Sequence, residues 1–107
     1  MSEEAAVAVF VALADPTRRA LLDRLAQRGP ATVTELASDL PITRQAVAKH
    51  LGQLQEAGLV EPGPAEGRRV PYRLRPEPMQ AALSWLTVLA NRWDDRLSAL
   101  RSHLEGP

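Results

Sequence analysis

Apolar residues recur along this chain at helical spacing, and the segments they form are separated by strong breakers. An alanine-rich stretch over about residues 3–14 carries Val7, Phe10, Val11 and Leu13 at helical spacing, which predicts a first helix. Asp15-Pro16 then reads as an N-cap followed by proline at the first helical position, where the missing N–H costs nothing. The second helix turns Leu21, Leu22 and Leu25 inward, runs to about Gln27 and stops at Gly29-Pro30.

The next segment is the most regular. Thr32-Val33-Thr34-Glu35 fits a capping box and opens a short helix to about Asp39, burying Leu36 and Leu40. Pro41 ends it, because a residue before proline is pushed out of the helical region. Thr43 caps a new helix at once, and Ile42 can staple onto Val47. Val47, Leu51 and Leu54 form its inward stripe, and Ala57-Gly58 supplies a left-handed C-cap. Leu59-Val60-Glu61 reads as a short strand, residues 62–67 as turn, and Val70-Pro71-Tyr72-Arg73-Leu74 as a returning strand. Pro71 offers no amide donor, so the hairpin belongs at an edge.

A last helix is expected over about residues 78–104. Met79, Leu86, Trp93 and Leu100 recur every seven residues, and Leu83, Ala90, Leu97 and Leu104 form a second such row beside them, a seam of coiled-coil type. At 1.5 Å per residue this helix is about 40 Å long, more than the small body can cover. Trp85 and Leu89 lie on another face and suit packing within the chain. The leftover seam (Leu86, Trp93, Leu97, Leu100), joined by Val7, Phe10 and Val11, is the expected dimer interface. The architecture expected is mainly α with a small β-hairpin, five helices plus a two-stranded wing, in one domain over residues 1–107. That is a winged helix-turn-helix.

Composition narrows the function. The 107 residues allow one thin core, which a partner subunit would help to cover. No apolar run approaches the roughly 20 residues that span a bilayer, and the opening residues are acidic where a secretory leader is basic; a cytoplasmic location is expected. The absence of cysteine excludes a disulfide framework, a thiolate zinc site and a cysteine redox switch. Formal net charge is zero, yet its distribution is uneven. From Ile42 to Arg75, Arg44, Lys49, Arg68, Arg69, Arg73 and Arg75 stand against Glu56, Glu61 and Glu66, a balance of +3, whereas residues 1–41 balance to −2 and residues 76–107 to −1. A local basic face matters more to a nucleic acid than the total.

The candidate chemistry sits on the second helix of the motif. With Val47, Leu51 and Leu54 facing in, its N-terminal half turns out Thr43, Arg44, Gln45, Ala48 and Lys49. Arginine offers a bidentate fork to guanine, glutamine pairs with adenine, and alanine accepts a thymine methyl. Lys49 and the helix N-terminus suit phosphates, and Arg68 and Arg69 at the hairpin tip suit the backbone or the adjacent minor groove. Glu35 reads as a cap, not a catalytic carboxylate; His50 reads as a packing residue or a phosphate contact. There is no Gly-rich phosphate loop, thiol nucleophile or paired-histidine motif, so an enzyme is not expected. Two other classes stay open: a winged-helix module that binds protein through the same surface, and a regulator like those of the MarR family, whose chains carry more helix on both sides.

Three blocks, LADPTRRALLDRL, TELASDLPITRQAVAKHLGQLQEAGLV and EGRRVPYRL, resemble the ArsR/SmtB family of bacterial winged-helix repressors over about residues 9–104. The resemblance implies a homodimer that binds a palindromic double-stranded DNA operator and blocks transcription, often of its own operon. By position, Thr43, Arg44, Gln45, Ala48 and Lys49 would read bases and phosphates, and Arg68 and Arg69 would form the wing. Many relatives sense metals through cysteines in the first helix of the motif, or through His, Asp and Glu on the last helix. Here the first location reads Glu35-Leu36-Ala37-Ser38-Asp39, and the last helix offers Asp94, Asp95, His103 and Glu105 with a single histidine. No metal site and no cofactor are expected, a carboxylate/His metal-responsive repressor being the variant reading. The tryptophans and the Trp93-Asp94-Asp95-Arg96-Leu97 segment resemble the branch without metal sites. The residues identify no inducing ligand.

Overall fold

The computed structural model describes residues 2–106. Five helices and one hairpin follow in the order α1 (Glu3–Leu13), α2 (Pro16–Arg28), α3 (Val33–Asp39), α4 (Arg44–Glu56), β1 (Val60–Pro62), β2 (Tyr72–Leu74) and α5 (Pro76–Glu105).

Local chemistry sets most boundaries. Ser2, Asp15, Thr32 and Thr43 each accept a backbone N–H three residues on, which closes the N-termini of α1 to α4. The capping box is complete, since Glu35 also accepts the Thr32 amide at 3.1 Å. Gly29 and Gly58 take positive φ where α2 and α4 end, a conformation that glycine enters without a Cβ clash. The hairpin pairs Val60 with Leu74 and Pro62 with Tyr72, antiparallel. Beyond this, Ala31 and Tyr72 exchange two backbone hydrogen bonds of 3.0 and 2.8 Å, which tie the loop before α3 to the hairpin as a rudimentary third strand.

Three expectations need correction. The first strand runs Val60–Pro62 where the sequence predicts Leu59–Glu61, so Pro62 is paired and not part of the turn. The returning strand begins at Tyr72, because Pro71 has no amide to donate, although its carbonyl still accepts from Gly63 at 2.7 Å. The last helix begins at Pro76, not Pro78. Both prolines fit in its first turn, since the first four N–H groups of any helix lack an intrahelical partner.

Val9, Leu21, Leu25, Leu36, Val47, Leu51, Leu54, Leu59 and Val60 form one buried core, joined by Ala82 from α5. Phe10, Leu40 and Ile42 pack against it half-buried. Beyond Leu89 every side chain of α5 is exposed. The molecule measures 72 × 27 × 22 Å with a radius of gyration of 18.7 Å, against roughly 13 Å for a compact chain of this length. The excess is the projecting α5.

Candidate nucleic-acid interface

Helix α4 lies across the front of the core. Its Val47, Leu51 and Leu54 are fully buried, which fixes its rotation and leaves Thr43, Arg44, Gln45, Ala48 and Lys49 exposed on the opposite side. The Thr43 hydroxyl accepts the Ala46 amide at 3.1 Å, so it builds the helix end before it touches anything else. Among the described residues, the side chains of Arg44, Lys49 and Arg68 enter no ion pair, and their charge is available to an external anion.

The wing differs from the sequence expectation of a freely basic tip. Arg69 donates to Glu35 at 2.7 Å and lies 3.3 Å from Glu66. Arg73 donates to Glu61 at 2.9 Å through Nε, and Arg75 lies 3.6 Å from the same carboxylate. Among the described residues, Arg68 is the one hairpin arginine that enters no ion pair. Glu35 is the hub of this region, receiving Arg28 on its other oxygen at 2.8 Å. Its bond from the Thr32 amide, followed by that from Arg69, lowers its pKa to about 2, so it is anionic at neutral pH. Asp39 sits beside it, held below the usual carboxylate range by Arg24 and Arg28. The polar lattice therefore joins α2, α3 and the wing into one unit.

Sequence reasoning missed this lattice. Glu35 and Arg69 are 34 residues apart, with no local periodicity linking them. It also missed Arg18, whose guanidinium bonds to the carbonyls of Ala12 and Val11 and to Gln53 of α4. His50 is half-buried with its Nδ1 enclosed and without a hydrogen-bond partner, 4.0 Å from Asp15 Oδ2.

The residues expected at a dimer interface are on the surface of α1 and α5. Val7, Val11, Leu86, Leu97 and Leu100 are exposed, and Trp93 is 63% exposed. Phe10 is half-buried and meets Trp85 of its own chain with ring centroids 5.9 Å apart. Among the described residues no group of three or more His, Asp and Glu converges as metal ligands would, and no helix is long and apolar enough to cross a membrane.

Residues 13–62 match a family model described as a helix-turn-helix domain, which takes in α2 through β1. The chain is 54% identical over 70 residues to the HTH-type transcriptional regulator Rv2034 of Mycobacterium tuberculosis, an alignment covering 65% of this chain and 64% of that protein. The chain thus matches slightly less than two thirds of that relative's length. It is 30% identical over 89 residues to the transcriptional repressor SdpR of Bacillus subtilis, covering 83% of this chain and 97% of SdpR. Among solved structures, an ArsR-like transcriptional regulator from Rhodococcus sp. RHA1 superimposes with a TM-score of 0.87 at 36% identity, covering 95% of this chain and 92% of that one. With the winged helix-turn-helix in place and the likeness extending over α1 and α5 as well, the chain belongs to the ArsR/SmtB family of transcriptional regulators.

Proposed function

We propose that this regulator is a homodimeric repressor that acts in the cytoplasm on a two-fold symmetric DNA operator. One observation carries the reading: the N-terminal half of α4 presents Thr43, Arg44, Gln45, Ala48 and Lys49 outward with both cations uncommitted, on a helix whose buried stripe fixes which way they face. Arg44 and Gln45 read base edges, and Lys49 and Arg68 hold phosphates. Arg69 approaches DNA only by leaving Glu35 and Glu66, so its share of the grip is smaller than that of Arg68.

Dimerisation is supported by the apolar rows on the projecting part of α5, where the protomer itself provides no cover. Paired along this seam and the Val7/Val11 face, two protomers set their α4 helices about one DNA turn apart, roughly 34 to 36 Å. A repressor is favoured over an activator because SdpR, which is similar over nearly its whole length, carries that name.

The test is to recover the genomic fragments that the purified protein retains, sequence them, and footprint the strongest. The expected result is a shared motif of two inverted half-sites, protected one helical turn apart. Retention of all fragments alike, or a single unrepeated half-site, contradicts the proposal.

A further inference from the structure

Arg18 joins three elements at one guanidinium. Its own amide is held by the Asp15 carboxylate at 2.9 Å, which anchors the residue in the first turn of α2. Nε then donates to the Ala12 carbonyl at 2.8 Å and Nη2 to the Val11 carbonyl at 2.9 Å, both in the last turn of α1. Nη1 reaches Gln53 Oε1 of α4 at 3.0 Å. Arg19 adds the Leu13 carbonyl at 2.7 Å, so two adjacent arginines bond to carbonyls of the last turn of α1, of which Val11 also accepts the Ala14 amide, with their charge placed at the negative end of that helix. Capping alone accounts for Nε and Nη2, but not for the third arm.

That third arm crosses open space. Between α1 and α4 lies a cleft of about 460 Å³, lined by Ala8, Val11, Ala12, Arg18, Gln53 and Glu56. At this edge of the core the polar strut adds to the burial that Val9 and Ala12 of α1 share with Val47, Leu51 and Leu54 of α4. The guanidinium is planar and its donors have fixed directions, so its two bonds to the α1 carbonyls aim the third donor at Gln53, where the bond is solvent-exposed. Gln53 stands one turn after Lys49 on the same side of α4 (i, i+4), so the strut ends directly behind the reading segment.

We propose that Arg18 and Gln53 are positioning residues for DNA reading: they set the placement of α4 relative to α1, and through α1 relative to the dimer seam. This rests on the proposed function above. Neither residue contacts DNA in this account. Their loss leaves each reading helix folded, cationic and seated on its buried stripe but less closely held at the α1 edge, which weakens binding to a two-half-site operator and spares binding to random sequence.

The test uses full-length Gln53→Met, which keeps the side chain's length and helix propensity but removes the acceptor. Two probes are used: the duplex most strongly retained from the genome, and a random-sequence duplex of equal length. The expected result is a loss of operator affinity of about 3- to 10-fold, in the range of coupling through a packed network. Random-sequence affinity, salt slope, dimerisation constant and thermal midpoint stay at wild-type values. Arg18→Lys, whose single ammonium reaches either α1 or Gln53, should lose operator affinity to a similar degree, and combining it with Gln53→Met should add little further loss. Operator affinity within two-fold of wild type for Gln53→Met overturns the proposal. So does an equal loss of affinity for the random-sequence duplex, which would make Gln53 a direct contact to the DNA backbone. A wild-type protein that does not distinguish the two duplexes overturns the operator reading beneath it, and this proposal with it.

Discussion

Replacing Trp93 by glutamate separates the dimer from the fold of the protomer. Trp93 is 63% exposed on the projecting part of α5, so the protomer's core does not depend on it. A large aromatic side chain offers up to about 250 Å², which leaves about 160 Å² of it on the open face. If a second copy covers half of that, burial at about 25 cal/mol per Å² contributes about 2 kcal/mol per protomer. Two-fold symmetry places the residue twice in one interface, so the dimer loses about 4 kcal/mol. At about 1.4 kcal/mol per decade this weakens dimerisation by about three decades, and the carboxylate to be desolvated pushes in the same direction. Sedimentation equilibrium over a wide concentration range measures the constant directly, with far-UV circular dichroism verifying that helix content is retained. A Trp93→Glu protein that stays folded and dimerises as tightly as wild type refutes the seam on α5.

Other substitutions probe the core, the wing and the polar lattice. Leu51→Ala empties a fully buried position in the centre of the core and should cost about 2 to 5 kcal/mol in denaturant unfolding; a loss under about 1 kcal/mol would mean that α4 is not seated on that stripe. Arg68→Ala should flatten the salt dependence of DNA binding by about one unit of slope, as expected for a lost phosphate contact. Arg69→Ala should change it less, because Glu35 and Glu66 already hold that charge; equal slopes for the two variants would show that DNA takes Arg69 from its carboxylates. Glu35 has a folded pKa of about 2 against an ordinary 4.5, so its contribution to stability is complete above the ordinary value and is lost as pH falls from there towards 2. Urea midpoints between pH 5 and 2.5 should therefore fall less steeply for Glu35→Gln than for wild type, and identical slopes would remove Glu35 from the acid response.

Features governed by near neighbours were legible in the sequence. The Thr32–Glu35 box, the Thr43 cap and the Val47/Leu51/Leu54 stripe depend on residues three or four apart, and all appear where the spacing places them. The start of α5 was misplaced by two residues because two prolines look like a break, although a helix's first turn tolerates both. The wing was legible as a hairpin but not as a charge. Counting charges gives a basic tip, whereas Glu35 and Glu61 engage Arg69 and Arg73 from 34 and 12 residues away, beside the local i,i+3 pair of Glu66 with Arg69. The Arg18 strut was hidden for the same reason, its two ends being 35 residues apart. Local order thus located α4 and its exposed face, while the polar contacts around it depend on the tertiary fold.

The proposed reading of DNA lies with the N-terminal half of α4. It is tested most directly by titrating the strongest genomic duplex, and a random duplex of equal length, with wild type and with the Arg44→Ala/Gln45→Ala double variant. Loss of two base-reading side chains should cost about 1 to 3 kcal/mol each on the operator, so its affinity should fall close to that for random DNA, which changes little. A double variant that binds and discriminates the operator like wild type would contradict the account.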